Sequence, residues 1–581
     1  MLTSSSTRIS NSQVIFWFSL SLTFAAIYSL LSLQEAFSAQ YVVQDDARQH
    51  VFWMQRFLDP ELFANDLIAD YFQAVAPAGY TTVYKIATAF GINPFLFNKL
   101  LPIFLSLVTA SYCFGVCLQL LPVPAAAFSS TLLLSQALGL TDAIVSGTPK
   151  AFIYPLFLAF IYYLLRGSLL PCLGAIAMQG LFYPQLVFIS AGTLLLRMLV
   201  WRDSWLHLSQ DKRHRLFCLA GLAVALLVML PYALKTNEFG PVITAAEAKE
   251  LPEFLPGGRS RFFYDDDPGK FWLKGRSGIR LASALTPVTN VLGFLLPLLL
   301  LFPAKFPLVK QVSNNITILP QVLLASLGMF FAAHALLFRL HLPSRYAGHS
   351  LRIILTLTSG IVLVVLIDAI WHWAKQNSRL PVLIPRILAL TTTVFLVGVL
   401  LSYPFLVDKF PLTAYKVGTT PSLYQFFQQQ PKNSLIASLA HEVNELPTFA
   451  QRPILIGSEY AIPYHKGYYD QFRQRTLDLI EAQYSSDSKV VREFIQKYRI
   501  DFWLVNQAAF NPDYLKKDRW LRQYQPVSKQ ARENLKRGNK PVLQQSIEVC
   551  SVFETQGLVV LEADCILQAL PTKTSANHSN L

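Results

Sequence analysis

The chain has 581 residues, of which 53% are hydrophobic and only 14% are charged, and its mean hydropathy is +0.38. Soluble domains carry about a quarter of charged residues, so this composition excludes an ordinary soluble protein and indicates a chain largely surrounded by lipid. The formal net charge of +14 does not indicate nucleic-acid binding, because the excess Lys and Arg lie mainly in short connections between apolar runs.

Apolar runs of about 17 to 25 residues recur along the chain and predict membrane-spanning helices. The run 169–200 is long for one helix and holds Pro184 near its middle, so it predicts one kinked helix or two short ones. Two helices are favoured, because they place Arg202 and Lys212 on the same side as the other basic short loops. We therefore predict about eleven spans, with the N-terminus in the cytoplasm and the C-terminus outside. The other predicted spans are 14–33, 94–119, 124–140, 150–166, 216–234, 283–303, 317–338, 350–372 and 385–405.

The composition of the predicted spans narrows the possible classes of membrane protein. The first span also resembles a cleavable signal peptide, since Arg8 precedes it and AFSAQ follows it, but the run is longer than the apolar part of a usual signal peptide. The spans carry almost no charge apart from Asp368, which argues against an ion or proton path. A lipid or polysaccharide transporter and a non-catalytic membrane assembly protein stay open as alternatives to an enzyme.

The first predicted outer loop, residues 34–93, places two adjacent carboxylates, Asp45 and Asp46, just after the first span. A short helix beginning near Asp45 would bring Asp46 beside Gln49 and His50, one turn on. Neighbouring carboxylates disfavour double ionisation, so one of them suits the removal of a proton from an acceptor hydroxyl, or both suit a divalent cation. The alternative is a helix N-cap, a position where Asp is favoured.

Two further predicted outer segments hold charged residues. The long loop 235–282 carries Asp265 and Asp267 at a spacing that suits Mg²⁺ or Mn²⁺, although an acidic triplet before Pro-Gly is also a good surface turn. Lys150, at the outer start of a helix, is expected either to contact phosphate or to extend its ammonium group toward the bilayer surface.

From about residue 407 the composition becomes that of a soluble domain. SLIAS, RPILIGSEYA and IDFWLVN predict strands, and two amphipathic helical patterns lie between them, which indicates an extracytoplasmic α/β domain over 407–570. SIEVCSVFETQGLVVLEADCIL predicts a hairpin that turns near Gln556 and holds Cys550 and Cys565 nearly opposite each other, where an oxidising compartment permits a disulfide. Residues 571–581 are expected to form a disordered tail.

The acidic pair after the first span, the bundle of many spans over residues 1–406, and LPSRY from Leu342 to Tyr346 together resemble the GT-C superfamily of integral membrane glycosyltransferases. The resemblance implies an inverting enzyme of the cell membrane, here expected to be a bacterial plasma membrane. Its donor would be a polyprenyl-phosphate-linked sugar, and its acceptor a glycan, a lipid or a protein at the outer face.

The same resemblance implies roles for particular residues. Asp45 or Asp46 matches the catalytic carboxylate, and Arg345 with Tyr346 matches an element near the lipid phosphate. We add His50 and Lys150 as candidate contacts to substrate or phosphate, and Asp265 with Asp267 as the candidate Mg²⁺ or Mn²⁺ site.

Overall fold

The computed structural model describes residues 10–202, 205–234, 238–264, 266–376 and 383–570, so the predicted tail 571–581 lies outside the described residues. Within that part of the chain, six helices are long and apolar enough to cross a membrane, and the protein is a multi-pass membrane protein. These six segments are Asn11–Ala36, Pro94–Leu120, Lys212–Leu234, Asn314–Ala335, Ser344–Gln376 and Leu383–Phe405. Shorter apolar helical segments complete the bundle, namely Pro124–Gly139, Ile153–Arg166, Leu169–Phe182, Gln185–Arg197 and Val288–Leu300.

Proline decides where two of the apolar runs break. The run 169–200 forms the two helices Leu169–Phe182 and Gln185–Arg197, which meet at Pro184, as the favoured interpretation predicted. The run 283–303 was predicted as one span, but it forms a 3₁₀ helix, Val288–Leu295, that continues into the short α-helix Leu296–Leu300. Pro287 precedes this segment. Proline cannot donate a backbone hydrogen bond, so it is tolerated at the start of a helix and not in its interior. The helix therefore begins only after Pro287.

The helix Ser344–Gln376 is the central element of the bundle, and it packs most extensively against the helix Pro124–Gly139. Gly360 makes this approach possible, because a Cβ atom at that position would lie 2.2 Å from the Ser130 hydroxyl oxygen. The Ser130 hydroxyl in turn donates a hydrogen bond to the carbonyl of Leu357 at 3.1 Å. Small residues that let two backbones approach closely are a usual device of helix packing in membranes.

Two loops carry short helices at one end of the bundle. The first loop, residues 34–93, holds the α-helices Ala47–His50, Leu67–Val75 and Ala78–Ala89 and the 3₁₀ helix Phe52–Phe57. The long loop, residues 235–282, holds the helices Ala245–Glu250 and Pro268–Leu273, and the helix Leu281–Ala284 begins at its end.

The C-terminal region, residues 407–570, combines a four-stranded sheet with helices. The helices of this region are Pro421–Gln428, Leu446–Phe449, Lys466–Tyr484, Ser488–Tyr498, Pro512–Lys517, Val527–Lys536, Val542–Cys550 and Ala563–Ala569. The strands of the whole described chain are β1 (Val42–Gln44), β2 (Leu199–Arg202), β3 (Trp205–Leu208), β4 (Tyr415–Val417), β5 (Ile436–Ser438), β6 (Phe502–Asn506), β7 (Ser551–Thr555) and β8 (Leu558–Glu562).

The sheet order is β5-β6-β8-β7, with β5 and β6 parallel and the other two pairs antiparallel. The prediction of a strand in RPILIGSEYA is wrong, because that segment makes only a single isolated β-bridge, from Ile454 to Ile436. The predicted hairpin is confirmed: β7 and β8 pair, and Gln556 and Gly557 both have positive φ, as a tight hairpin turn requires.

The disulfide pairs Cys550 with Cys565, but its surroundings differ from the predicted cross-strand position. Cys550 is the last residue of the helix Val542–Cys550, and Cys565 lies within the helix Ala563–Ala569. The bond therefore joins the two helices that flank the hairpin.

The C-terminal region sits on the first loop through a two-stranded antiparallel ladder between β1 and β4. Val42 pairs with Val417, and Gln44 pairs with Tyr415. Because β1 ends one residue before Asp45, this ladder fixes the backbone that carries the acidic pair.

Candidate functional site

The acidic pair lies at the junction between β1 and the helix Ala47–His50. The backbone N–H of Asp45 donates to the carbonyl of Ala414 at 3.1 Å. Asp46 occupies the N-cap position of the helix, but its side chain makes no capping hydrogen bond. The side-chain oxygen of Gln44 accepts from the backbone N–H groups of Asp46 and Ala47 instead, at 2.8 and 3.3 Å. The N-cap alternative is therefore wrong for the Asp46 carboxylate, which is free for other partners.

The Asp46 carboxylate forms an ion pair with Lys150, whose ammonium group also lies 2.7 Å from a carboxylate oxygen of Asp142. Burial alone would raise the pKa of Asp46, but the charge and the hydrogen bond of Lys150, with smaller contributions from His50 and Arg345, lower it to about 2. Asp46 is therefore an ionised carboxylate at neutral pH. Lys150 points into this cluster, between Asp46 and Asp142.

His50 lies beside the same carboxylate, at the end of the short helix. Burial lowers the pKa of His50 to about 4, and the nearby positive charges of Lys150 and Arg345 act in the same direction, against the attraction of Asp46. The imidazole is therefore neutral at neutral pH, and it can accept or donate one hydrogen bond there.

Asp45 faces a different set of charges from Asp46. Its carboxylate pairs with Arg48, three residues on, and Lys416 lies 4.0 Å away. Arg48 also forms an ion pair with Glu459 at 2.9 Å. The two adjacent carboxylates thus belong to two separate networks, one through Lys150 and one through Arg48.

Arg280 lies close enough to Arg345 and Arg352 to feel both charges, and Arg345 also acts on Asp46; we call these three residues the arginine cluster. Arg352 is almost fully buried, with 4% of its surface exposed, and it donates to the hydroxyl groups of Tyr154 and Ser283. None of the three lies within 4.0 Å of a carboxylate in the described ranges of the chain. Burial lowers the pKa of Arg280, and the nearby charges of Arg345 and Arg352 lower it further.

Two histidines border the arginine cluster. Burial lowers the pKa of His341 to about 3, with added repulsion from Arg345 and Arg276. The Nδ1 atom of His349 lies 2.9 Å from the Tyr154 hydroxyl, which also receives the hydrogen bond of Arg352. Asp46 and Asp142 compensate only part of this positive charge, and buried charge that lacks a direct partner is costly unless an anion binds there.

Structures of known proteins resemble most of the chain. The archaeal oligosaccharyltransferase AglB from Archaeoglobus fulgidus, in complex with an inhibitory peptide and a dolichol-phosphate, matches with a TM-score of 0.52 and 11% identity, over 88% of this chain and 72% of that chain. The apo form of the same enzyme matches with the same values. This chain has a GT-C fold.

Other comparisons are less informative. ArnT from Cupriavidus metallidurans bound to undecaprenyl phosphate matches with a TM-score of 0.47 and 14% identity, over 94% of this chain and 98% of that chain. No protein-family model matches, and no curated protein matches in sequence. At these identities the likeness establishes the GT-C fold, and the chemistry has to be argued from the residues.

Tyr346, Asp265 and Asp267 are the remaining predicted site residues. Tyr346 is completely buried, and its hydroxyl donates to the carbonyl of Leu340 at 2.8 Å, so its role is to hold the backbone before Arg345. Asp265 lies outside the described residues. Asp267 caps the helix Pro268–Leu273 and pairs with Lys270 at 2.8 Å.

The carboxylates of the site do not fit a divalent metal ion. The Lys150 ammonium group takes the place between Asp46 and Asp142 that a bridging cation would need, and Asp45 is held by Arg48. Among the described residues, no group of three or more His, Cys, Asp or Glu side chains is placed to hold a metal.

Sequence reasoning missed four residues of this site. Arg352 follows Arg345 by two helical turns and so lies on the same face, and Arg48 follows Asp45 by one turn, so both had a signal in the spacing. Arg280 and Glu459 had none, because only the folding of the chain brings Arg280 to Arg345 and Glu459 to Arg48.

Proposed function

We propose that this protein is an integral membrane glycosyltransferase that transfers a sugar from a polyprenyl-phosphate donor to an acceptor hydroxyl. The observation that carries the proposal is the position of an ionised carboxylate, Asp46, beside an arginine cluster that lacks carboxylate partners among the described residues. Guanidinium groups match the geometry of phosphate, and they bind it through charge-assisted hydrogen bonds. AglB, which has the same fold, was solved with a dolichol-phosphate, and this supports a lipid-linked phosphate as the ligand.

The two parts of the site have separate tasks in the reaction. Arg280, Arg345 and Arg352 hold the phosphate and stabilise the negative charge that grows on it as the bond between the anomeric carbon and the phosphate oxygen breaks. The acceptor oxygen attacks the same carbon from the opposite side, so its configuration is inverted. Asp46 takes the proton of the acceptor hydroxyl, and polyprenyl phosphate leaves.

Asp46, not Asp45, is the proposed base. Arg345 is among the charges that lower the pKa of Asp46, so this carboxylate lies close to the arginine cluster. Asp45 is held by Arg48 on the side of the C-terminal region. His50, neutral and next to Asp46, is proposed to orient the acceptor hydroxyl or the carboxylate.

The orientation of the protein in the membrane follows from the positive short loops. Lys and Arg concentrate in short loops on the cytoplasmic side of membrane proteins, and this pattern supports an N-terminus inside and a site outside. We propose that residues 1–406 form the membrane bundle with its loops, and that residues 407–570 form an extracytoplasmic α/β domain. The acceptor, whether a glycan, a lipid or a protein, would then approach from outside the cell membrane.

A transfer assay with a radiolabelled polyprenyl-phosphate sugar and purified membranes tests the proposal. The variant Asp46→Asn keeps the size of the side chain and removes the base, so we expect transfer to fall by at least about 100-fold. Asp70→Asn is the matched control, because Asp70 lies in the same loop and pairs with Arg56 in an exposed position. Transfer by Asp46→Asn at the wild-type rate would disprove the assignment.

A further inference from the structure

Glu459 belongs to the C-terminal region, yet its side chain reaches the loop that carries the acidic pair. It lies in the short 3₁₀ helix Ser458–Tyr460, and its backbone N–H donates to the side-chain oxygen of Asn444 at 2.8 Å. The next residue, Tyr460, is fully buried, and its hydroxyl donates to the carbonyls of Asn444 and Arg48 at 3.1 and 3.3 Å. The backbone at Glu459 is therefore held firmly within its own region.

The Glu459 carboxylate forms ion pairs with arginines from two other parts of the chain. Arg48 of the first loop lies 2.9 Å from one carboxylate oxygen, and Arg259 of the long loop lies 3.0 Å from the other. Gln49 donates to the backbone carbonyl of Glu459 at 2.9 Å, and also to its carboxylate. Only 14% of the Glu459 side chain and 9% of the Arg48 side chain are exposed.

These contacts act on the short helix Ala47–His50, which has only four residues. An isolated helix of this length is not stable in water, so its position depends on tertiary contacts. Arg48 and Gln49 are its middle residues, and Asp46 immediately precedes it. Arg48 is also shared with Asp45, so a loss of the Glu459 charge would leave Arg48 bound to Asp45 alone.

We propose that Glu459 is a positioning residue of the transferase: it holds the helix Ala47–His50 so that Asp46 faces the arginine cluster, and the C-terminal region thereby completes the active site. This inference rests on the proposed function. Glu459 touches neither reacting group, and it acts through Arg48 and Gln49.

The variant Glu459→Gln tests the proposal, because it keeps the shape of the side chain and removes its charge. A small displacement of a reacting group is enough to slow a reaction strongly, so we expect kcat to fall by about 10- to 100-fold while KM for the donor changes little. In the background of Arg48→Gln, the same change should have a smaller effect, because the contact between Arg48 and Glu459 is already lost and, of the contacts of Glu459 with the helix, only that of Gln49 remains. Glu459→Asp keeps the charge on a shorter side chain, and it replaces the first variant if Glu459→Gln does not fold.

Lys432 provides a matched control, because it tests whether any lost ion pair between the C-terminal region and the first loop lowers kcat. It joins the C-terminal region to the first loop through ion pairs with Asp59 at 2.6 Å and Glu61 at 2.8 Å, without touching the short helix. Lys432→Ala should keep the wild-type kcat. An equal loss of kcat in Lys432→Ala and Glu459→Gln would overturn the proposal, as would full activity of Glu459→Gln.

Hydrogen exchange separates this proposal from the proposed function. Amides of residues 46–52 should exchange faster in Glu459→Gln than in the wild-type protein or in Lys432→Ala, because the helix opens more often once its anchor is lost. If the wild-type protein transfers no sugar, the proposed function is wrong. The hydrogen-exchange rates of residues 46–52 then test by themselves whether Glu459 holds the helix. Unchanged exchange in Glu459→Gln would overturn that role.

Discussion

The ammonium group of Lys150 forms an ion pair with Asp46, and both side chains are largely shielded from water, with 15% and 34% of their surfaces exposed. Lys150 lies in a short 3₁₀ turn, Pro149–Phe152, that precedes an apolar helix. This pair keeps the Asp46 carboxylate ionised in a place where burial alone would favour its protonated form.

Removal of this ammonium group should change the pH dependence of transfer. In Lys150→Met the largest charge that lowers the pKa of Asp46 is lost, so the pKa rises from about 2. Because the base must be ionised, the pH at which activity falls on the acid side should move upward, and activity should drop more at acid pH than at neutral pH. The profile of kcat/KM against pH measures both effects. Lys270→Met, at an exposed ion pair with Asp267, should leave the profile unchanged.

Binding of a lipid phosphate should depend on Arg280. Wild-type protein should unfold at a higher temperature when polyprenyl phosphate is added, because a ligand that binds only the folded state stabilises it. Arg280→Gln removes one charge-assisted hydrogen bond from the arginine cluster, so we expect about tenfold weaker binding and a smaller shift in Tm. Arg166→Gln is the control, since Arg166 donates to Tyr162 at the end of its own helix. An undiminished shift in Arg280→Gln would contradict the role of this residue.

The buried residue Asp66 should make the protein less stable as the pH rises. Burial raises its pKa from 3.8 to about 6, although its carboxylate accepts from the backbone N–H of Ala69 at 2.7 Å. Between these two pH values the unfolded chain loses the proton first, so stability falls from about pH 4 to about pH 6 and does not recover above it.

Replacement of Asp66 by asparagine should therefore stabilise the protein at neutral pH. Asn, like Asp, is a good N-cap residue, and Asp66→Asn removes the cost of a buried charge. We therefore expect the free energy of unfolding to rise by about 1 to 2 kcal/mol above pH 6, and to change little at pH 4. Thermal unfolding at the two pH values measures this difference. The same gain at both pH values would show that the charge is not its cause.

The disulfide between Cys550 and Cys565 should stabilise the C-terminal region. It closes a segment with a sequence separation of 15, and a loop of this size corresponds to about 3 kcal/mol in the chain-entropy account. The double variant Cys550→Ser and Cys565→Ser should lower the unfolding temperature of the protein. A reducing agent should lower that of the wild-type protein and leave the double variant unaffected; a wild-type Tm that does not respond to reduction would count against the bond.

Local patterns in the sequence predicted the elements that depend on neighbouring residues. Pro184 predicted the break between two helices, because proline cannot continue a helical hydrogen-bond ladder. Gln556 and Gly557 predicted the hairpin turn, because that turn needs positive φ at both positions. Long apolar runs predicted a multi-pass membrane protein, because backbone groups in lipid must be satisfied within a helix.

Tertiary structure alone decided how the side chains of the site are paired. The sequence placed Asp45 and Asp46 side by side, and it could not show that one faces Lys150 and the other Arg48, since these partners come from folded contacts. Glu459 reaches Arg48, and Arg280 reaches Arg345, from distant segments that carry no local pattern, because a contact between charges depends on distance in space and leaves no periodicity in the chain. Helix and turn formation is a local balance of free energies, whereas the charge state of Asp46 is set by the whole fold around it.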